Sequence, residues 1–334
     1  MTNRPEPRFY LSFFLFTTDP QPGDPAAREL LLSQVRELVA MGYRGFELPI
    51  PPSGMDDPEA EVQAYRQLRQ ALDAEGFEAV ALTTNVAATP DFDPTSADAA
   101  VRERALAYLR SRVEITAALR GTVMMGPIIY PYALRPRGSD GAELWSDALQ
   151  EALPAGYARA ATVLAELADL AAGLGVRLAI EPISHWETAA PNTLAELQAF
   201  LELVPNPQLG VVIDSAHETL DGAGPECFAA QVAALAAAGR LHYVQLSPPD
   251  RGRLDRSWLP WTPFLERVLP HYQGPLAIEM FNALPVFQPL LRLSRRKYWI
   301  AGVDAPSDAP SAMDVAAASL AASRQAVAAV LASL

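Results

Sequence analysis

Four short apolar runs in the second half of the chain each end in a polar side chain that can bind a metal ion. The runs have the length of β-strands, and helix-length segments separate them, which indicates parallel strands. Adjacent parallel strands lie only about 5 Å apart, so the ends of four successive strands can converge on one point. One divalent cation would fit there. The runs are 177–181, 209–214, 241–245 and 275–279, and they end in Glu181, Asp214, Gln245 and Glu279.

The same alternation of strand and helix extends over the whole chain. Strands are also predicted at 9–17, 45–49, 77–82 and 122–125. Helices are predicted at 24–41, 57–75, 96–119, 154–173, 193–204, 225–238, 263–269 and 312–331. Eight strands and eight helices favour an α/β fold of the (β/α)8 TIM barrel type, in which reactive groups lie at the C-terminal ends of the strands. A doubly wound open sheet is the alternative, but no Gly-x-Gly-x-x-Gly segment follows the first strand.

The composition limits the kinds of partner. The 334 residues are 50% hydrophobic, enough for a large core, and α/β barrels of this length form one domain, so we expect a single domain over 1–334. The net charge of −13 argues against nucleic acid, which is bound mainly through cationic side chains. The apolar stretch at 10–16 is too short to cross a membrane, and one cysteine, Cys227, excludes an intrachain disulfide. We expect a cytoplasmic protein that acts on a small molecule.

Two connecting segments exceed the ordinary length. Residues 127–153 follow the fourth strand on the catalytic side, and their aromatic side chains suggest a lid over the site. Residues 281–311 follow the eighth strand and contain the basic residues Arg292, Arg295, Arg296 and Lys297. This cluster is interpreted either as a solvated helix face or subunit contact, or as a phosphate site that selects a phosphorylated sugar. Arg253 and Arg256 are the alternative candidates for that phosphate site.

The side chains at the ends of the four runs indicate a particular chemistry. Glu181 and Glu279 end the fifth and eighth strands, so in a barrel they approach a central ligand from different sides, which suits proton exchange on two faces. Asp214 adds a third carboxylate and Gln245 adds a neutral amide carbonyl. A ligand set made of oxygen atoms alone prefers Mg²⁺ or Mn²⁺ over Zn²⁺.

Further polar residues follow these strand ends at short spacings and complete four motifs. The motifs are Ala-Ile-Glu181-Pro with Glu187, Ile-Asp214-Ser-Ala-His217, Asp-Arg251-Gly and Ala-Ile-Glu279-Met-Phe. They resemble the sugar isomerase/epimerase family of xylose isomerase-like barrels, particularly the ketose 3-epimerases of the tagatose or allulose 3-epimerase type. Gly45–Pro49 and the Gly126-Pro127 pair also resemble the second and fourth strand ends of that family.

The resemblance implies a metal-dependent epimerase or isomerase. It implies that Glu181 and Glu279 both bind the metal and act as acid and base, with Asp214 as a third ligand. One glutamate would remove the hydrogen beside a ketone carbonyl through an enediolate, and the other would return a proton on the opposite face, giving C3 epimerisation of a ketose. A hydroxypyruvate or inosose-type isomerase is a second enzyme interpretation.

The resemblance also assigns substrate-binding residues and an assembly. Glu187, His217 and Arg251 match the residues that hold the ketose oxygens in the family. Homodimers or homotetramers are the assemblies that the family implies, with a small sugar as the partner molecule.

One position departs from the family pattern. The fourth ligand in the family is a histidine on the seventh strand, and this chain has Gln245 at the matching place. A glutamine carbonyl is a weaker donor than imidazole. Two alternatives follow: a loosely held metal, or a catalytically silent barrel that binds a sugar.

Each candidate residue also has an ordinary structural interpretation. Glu181 and Glu279 would then be strand-end carboxylates in unremarkable loops, and Glu187 would face solvent. Asp214 would cap a helix that carries a surface histidine, His217. Arg251 would pair with Asp250 or Asp255 in a surface loop. The remaining histidines, His185, His242 and His271, are interpreted as structural, and four histidines are too few for the trinuclear zinc site of related nucleases.

Overall fold

The computed structural model describes residues 6–52, 55–282 and 298–333, and a closed barrel of parallel strands forms its centre. Each strand pairs with the next, and β1 pairs with β8 in the register Tyr10 to Ala277, which closes the barrel. The predicted (β/α)8 barrel is therefore confirmed, and the open sheet is excluded. The strands are β1 (Phe9–Ser12), β2 (Gly45–Pro49), β3 (Ala81–Asn85), β4 (Val123–Gly126), β5 (Arg177–Ile180), β6 (Leu209–Asp214), β7 (Leu241–Leu246) and β8 (Leu276–Ile278).

Nine α-helices occur in the described part of the chain and surround the barrel. They are α1 (Pro25–Met41), α2 (Pro58–Ala74), α3 (Ala99–Ala118), α4 (Ser146–Leu174), α5 (Leu194–Leu203), α6 (Ser215–Asp221), α7 (Pro225–Ala237), α8 (Trp261–Val268) and α9 (Ala312–Leu331). α1 begins as predicted, because the Asp24 side chain accepts a hydrogen bond from the N–H of Ala26, and it ends at Gly42 with a φ of 115°. None of these helices combines the length and the hydropathy of a membrane span.

The barrel interior is filled by side chains from alternate positions of the strands. Tyr10 and Tyr243 are its largest members, and their ring centroids are 6.4 Å apart. Because side chains alternate between the inside and outside of a barrel strand, the residue two positions further along also faces inward. Ala179, Val212, Tyr243 and Ala277 are buried in this layer, and Glu181, Asp214, Gln245 and Glu279 each follow two positions later. The alternation thus places all four predicted residues at the C-terminal mouth.

Several predicted boundaries are wrong. The first strand, predicted over 9–17, ends at Ser12, because a 3-10 helical turn follows at Phe13–Leu15. The third strand, predicted from residue 77, begins at Ala81. The third strand runs to Asn85 and not to residue 82, since its polar residues Thr83 and Thr84 are buried and hydrogen-bonded to Tyr243 and Thr116. The fourth helix begins at Ser146, so the predicted lid segment 127–153 ends in a helix. Pro154 lies inside this helix on its exposed side, where water can satisfy the carbonyl that the missing N–H leaves unpaired.

Glycine is required at the end of β4, where the chain passes close to β3. Gly126 has a φ of 125°, and a β-carbon added there would collide with the carbonyl oxygen of Val86. Gly76 has a similar backbone, with a φ of 82°, but open space around it. We expect Gly76→Ala to lower the free energy of unfolding by about 1 kcal/mol, the cost of a left-handed alanine. Gly126→Ala should cost about 1–3 kcal/mol more, because overpacking adds to the backbone strain.

Urea unfolding of both variants measures this difference. Equal losses of unfolding free energy in the two variants would show that the close approach of β3 and β4 does not require glycine at position 126.

Candidate active site

The structure brings the sequence-predicted residues together at one mouth of the barrel. Glu181 follows β5, Asp214 ends β6, Gln245 lies in β7 and Glu279 follows β8, and each is at most 4% exposed. The Glu181 and Glu279 carboxyls face the same cavity, which Glu187, His217 and Arg251 also line. The two glutamates can therefore reach one small ligand.

Arg251 lies at the centre of the carboxylates. Its Nη1 is 2.5 Å from Asp214 Oδ2 and 3.0 Å from Glu279 Oε2, and it also donates to Ser247 Oγ at 2.7 Å. Its Nη2 lies 3.8 Å from Glu187 Oε1. The interpretation of Arg251 as a residue of a surface loop is therefore wrong, as only 2% of it is exposed. Glu187 is also buried and does not face solvent.

A strained turn directs the Arg251 side chain into the barrel. Its backbone N–H donates to the carbonyl of Pro248 at 2.7 Å, and its φ of 57° is in the left-handed region. A non-glycine residue held there costs of order 1–3 kcal/mol, and such residues concentrate at functional sites. Packing of the guanidinium 5.1 Å from the Phe281 ring centre helps to offset this cost.

His217 lies on α6, a short helix that is not among the eight predicted helices and that the sequence analysis considered only in the structural interpretation of Asp214. Asp214 caps this helix by accepting from the N–H of Ala216 at 2.7 Å, so the same carboxylate both starts α6 and belongs to the site. His217 is 3% exposed, which overturns its interpretation as a surface residue. Asp214 therefore has a structural role as the cap of α6 and also lies in the candidate site.

Two hydrogen-bond donors approach the ring of His217. The N–H of Ser184 donates to Nδ1 at 2.9 Å, and Nη2 of Arg251 lies 2.6 Å from Nε2. Burial, reinforced by Arg251, lowers the pKa of His217 to about 3. A neutral imidazole has one unprotonated nitrogen and therefore accepts from only one of these donors. Nε2 also lies 3.4 Å from Glu181 Oε1 and 3.6 Å from Asp214 Oδ2.

Burial raises the pKa of the two glutamates. Desolvation, and then the nearby Asp214, raise the pKa of Glu181 to about 8, although Arg251 opposes the shift. Desolvation also raises the pKa of Glu279 well above its usual value, against the opposing charge of Arg251. A carboxyl group that titrates near neutrality can both donate and accept a proton.

Glu47 is a buried member of the site that the sequence analysis did not select. It lies in β2 between Phe46 and Leu48, and it is fully buried. Asn85 Nδ2 donates to its Oε1 at 3.1 Å, and burial raises its pKa to about 7. A charged residue in an otherwise apolar strand was the signal that could have identified it, because an ion without a function is rarely buried.

Gln245 links Glu47 to Glu279. Its Nε2 donates to Glu279 Oε1 at 2.9 Å and to Glu47 Oε2 at 3.1 Å, while its Oε1 is buried without a protein partner. In this arrangement the amide presents its hydrogens, and not its oxygen, to Glu279. The role of Gln245 as a metal ligand stays a prediction.

The carboxylates at the mouth form a donor set that fits a divalent cation. Ligand atoms of Glu181, Asp214 and His217 all lie within 4.8 Å of one another. Glu181 and Asp214 offer carboxylate oxygens to a cation, and His217 offers a ring nitrogen where that nitrogen is unprotonated. Oxygen donors of this kind suit Mg²⁺ or Mn²⁺.

The other predicted features lie away from this centre. Arg253 forms an ion pair with Asp255 at 2.7 Å, His185 bonds Asp221 at 2.5 Å, and His242 is buried in β7. The basic cluster Arg292, Arg295, Arg296 and Lys297 falls outside the described residues.

Comparisons with known proteins agree with this geometry. A family model described as the xylose isomerase-like TIM barrel matches residues 35–304. A ketose 3-epimerase of Arthrobacter globiformis is 27% identical over 204 residues, which are 60% of this chain and 64%, slightly less than two thirds, of that protein. An L-ribulose 3-epimerase of Methylomonas sp. is 27% identical over 243 residues, 72% of this chain and 75% of its own. These relatives are carbohydrate epimerases, the enzyme class that the sequence predicts.

A solved structure extends the match to nearly the full chain. A protein of Anabaena variabilis, provisionally assigned as a sugar phosphate isomerase/epimerase, is 48% identical and superposes with a TM-score of 0.95 over 98% of this chain and 100% of its own. A D-allulose 3-epimerase from Methylomonas sp., in complex with D-allulose, shares the fold with a TM-score of 0.74 at 21% identity, over 96% of this chain and 98% of its own. From the family match and the Anabaena relative, the chain belongs to the xylose isomerase-like TIM barrel family.

Proposed function

We propose that this protein is a metal-dependent epimerase of a keto-sugar, in which Glu181 and Glu279 exchange a proton at the carbon beside the carbonyl. One observation carries the proposal: two buried glutamates on β5 and β8 face one cavity, and burial raises the pKa of both. The similarity to ketose 3-epimerases supports the reaction type and favours C3 epimerisation.

The roles of the residues follow from their contacts. One glutamate, in its ionised form, removes the hydrogen, and the other, protonated, returns a proton to the opposite face. Arg251 is a donor placed to stabilise negative charge on the substrate oxygens, His217 lines the cavity beside it, and Glu187 is placed to accept from a hydroxyl. A divalent cation held by Glu181, Asp214 and Glu279 supplies Lewis-acid polarisation of the carbonyl. The metal is proposed to be Mn²⁺ or Mg²⁺.

A catalytically silent sugar-binding barrel is the second candidate, and the orientation of Gln245 favours it. With its amide hydrogens on Glu279 and Glu47, Gln245 adds no donor oxygen to the carboxylates. A site with three carboxylate ligands binds its metal less tightly than one that also has an imidazole. Proton exchange separates an enzyme from a binding protein.

Solvent deuterium exchange tests the proposed reaction. With Mn²⁺ present, we expect deuterium from D₂O to enter C3 of D-allulose or L-ribulose, the sugars named for the relatives. Glu181→Gln and Glu279→Gln should each lower the rate about 100-fold or more, since each removes an acid or base. Glu226→Gln, at an exposed carboxylate, is the matched control.

The labelled position identifies the reaction. Deuterium at C1 would indicate aldose–ketose isomerisation instead, and no label at any carbon would contradict the enzyme proposal in favour of the silent barrel.

Two substitutions of Gln245 test its place in the site. Gln245→His should bind Mn²⁺ about tenfold more tightly in calorimetry, because imidazole is the stronger donor. Gln245→Leu keeps the bulk but removes the amide hydrogens from Glu47 and Glu279, so it should lower the free energy of unfolding by about 1–3 kcal/mol. Unchanged Mn²⁺ affinity in the histidine variant would show that the side chain at 245 points away from the cation.

The raised pKa of Glu181 predicts a pH dependence of stability in the metal-free protein. Glu181 holds its proton up to about pH 8 when folded but loses it near pH 4.5 when unfolded. Between these values the folded state binds more protons, so the free energy of unfolding falls as pH rises. Glu181→Gln should therefore reduce this fall, measured by urea unfolding at pH 5 and pH 8 with a chelator. A slope unchanged from that of Glu226→Gln would refute the assignment.

A further inference from the structure

The cavity above the carboxylates is large for the sugars of the proposed reaction. Its volume is about 800 Å³. Cavities of roughly 300–1,000 Å³ enclose drug-sized ligands, whereas a free ketose has only about a dozen non-hydrogen atoms. A free ketose that places its reacting carbon between Glu181 and Glu279 would therefore leave much of the volume unfilled.

The polar and apolar residues of this cavity are separated. The polar floor of the cavity includes Asn85, Glu181, His217, Arg251 and Glu279. These residues lie at the ends of β3, β5 and β8 and in the segments that follow β6 and β7. The loops after β1, β2 and β4 supply mainly apolar wall. We call this wall the apolar chamber; it comprises Phe14, Ile50, Pro51, Pro127 and Tyr132.

The apolar chamber is built from ordered contacts. The Phe14 ring stacks on Phe281 with a centroid distance of 4.9 Å and an interplanar angle of 17°. The N–H of Tyr132 donates to the carbonyl of Ala88 at 3.0 Å, which fixes this part of the segment after β4 beside the segment after β3. The wall is thus preformed, and a ligand need not order it on binding.

The charge of the lining argues against a phosphate group at the outer end of the substrate. Among the described lining residues, Arg251 is the one arginine or lysine, and its guanidinium already contacts Asp214 and Glu279. Asp19 and Glu187 add further carboxylates to the lining. Beside these described residues a phosphate dianion would meet like charge, and the one cation among them is already paired.

An apolar group would gain free energy from the same wall. Buried apolar surface contributes about 25 cal/mol per Å², so an aromatic ring that buries roughly 150 Å² in the chamber gains several kcal/mol. The hydroxyls of an unsubstituted sugar find few partners on prolines and aromatic rings. The wall therefore favours a substrate whose part remote from the reacting carbon is apolar over one in which that part is polar.

We infer that the substrate is a keto-sugar that carries an apolar substituent, aryl or alkyl, on an oxygen remote from the reacting carbon. This inference rests on the proposed function, because the proposed reaction fixes which end of the sugar lies on the polar floor. The substituent occupies the apolar chamber beside Phe14 and Tyr132.

A set of three matched ligands tests the inference: D-fructose, D-fructose 6-phosphate and 6-O-benzyl-D-fructose. Binding is measured by calorimetry with Mn²⁺ present, and exchange at C3 is measured in D₂O. We expect the benzyl ether to bind at least tenfold more tightly than fructose and the phosphate to bind no more tightly. Equal binding of fructose and its benzyl ether, or tighter binding of the phosphate, overturns the inference.

Two variants and one control locate the substituent. Tyr132→Ser and Phe14→Ser should each remove most of the benzyl advantage, with a smaller change for fructose itself. Trp258→Ser removes a fully exposed aromatic ring away from the cavity and should leave the advantage intact. A benzyl advantage that survives both chamber variants would place the substituent elsewhere and overturn the assignment.

The two readouts keep this inference separate from the proposed function. Exchange into fructose without any benzyl advantage refutes the substituent and leaves the epimerase proposal standing. A benzyl advantage in binding, with no exchange into any of the three ligands, refutes the epimerase proposal and supports recognition of the apolar group alone.

Discussion

Five buried carboxylates, Glu47, Glu181, Glu187, Asp214 and Glu279, share the barrel mouth with one guanidinium of the described residues, that of Arg251. Burying an ion costs several kcal/mol unless it is paired, so this excess of negative charge shapes the whole site. Two responses in the structure reduce it, namely the raised pKa of the carboxyls and the cation of Arg251, and the proposed divalent metal would be a third. Each response is also a component of the proposed acid–base catalysis on a sugar. The groups that reduce the excess of negative charge are therefore the same groups that the proposed chemistry needs.

The barrel and its loops hold these charges against their own repulsion. The strands pair in one closed sheet, so each carboxylate occupies a place set by backbone hydrogen bonds. The left-handed backbone of Arg251 and the cap that Asp214 provides to α6 add local constraints at two of the charged groups. Above this polar floor lies the apolar chamber, and its low polarity strengthens the electrostatic interactions beneath it.

The C-terminal half of the site could be predicted and the N-terminal half could not. Glu181, Asp214 and Glu279 each end an unmistakable apolar run, so the alternation of the strands identified them. Glu47 lies inside its strand rather than at the end. Asn85 ends a strand in which it follows two threonines, and these polar residues are buried only because they form hydrogen bonds to distant parts of the chain. α6 was missed because its seven residues are too few to show a helical repeat.

The sequence by itself determined the barrel and the strand ends that carry Glu181, Asp214 and Glu279, because these depend on local periodicity and on the geometry of parallel strands. Only the tertiary structure decided how those side chains face one another. That Arg251 bonds Asp214 and Glu279, that His217 accepts from Ser184, and that Gln245 turns its amide hydrogens toward Glu47 all depend on contacts between residues distant in the chain. The physical reason is that the direction of a hydrogen bond and the desolvation of a charge depend on all the groups around a side chain in the folded protein. A local sequence pattern does not specify those groups.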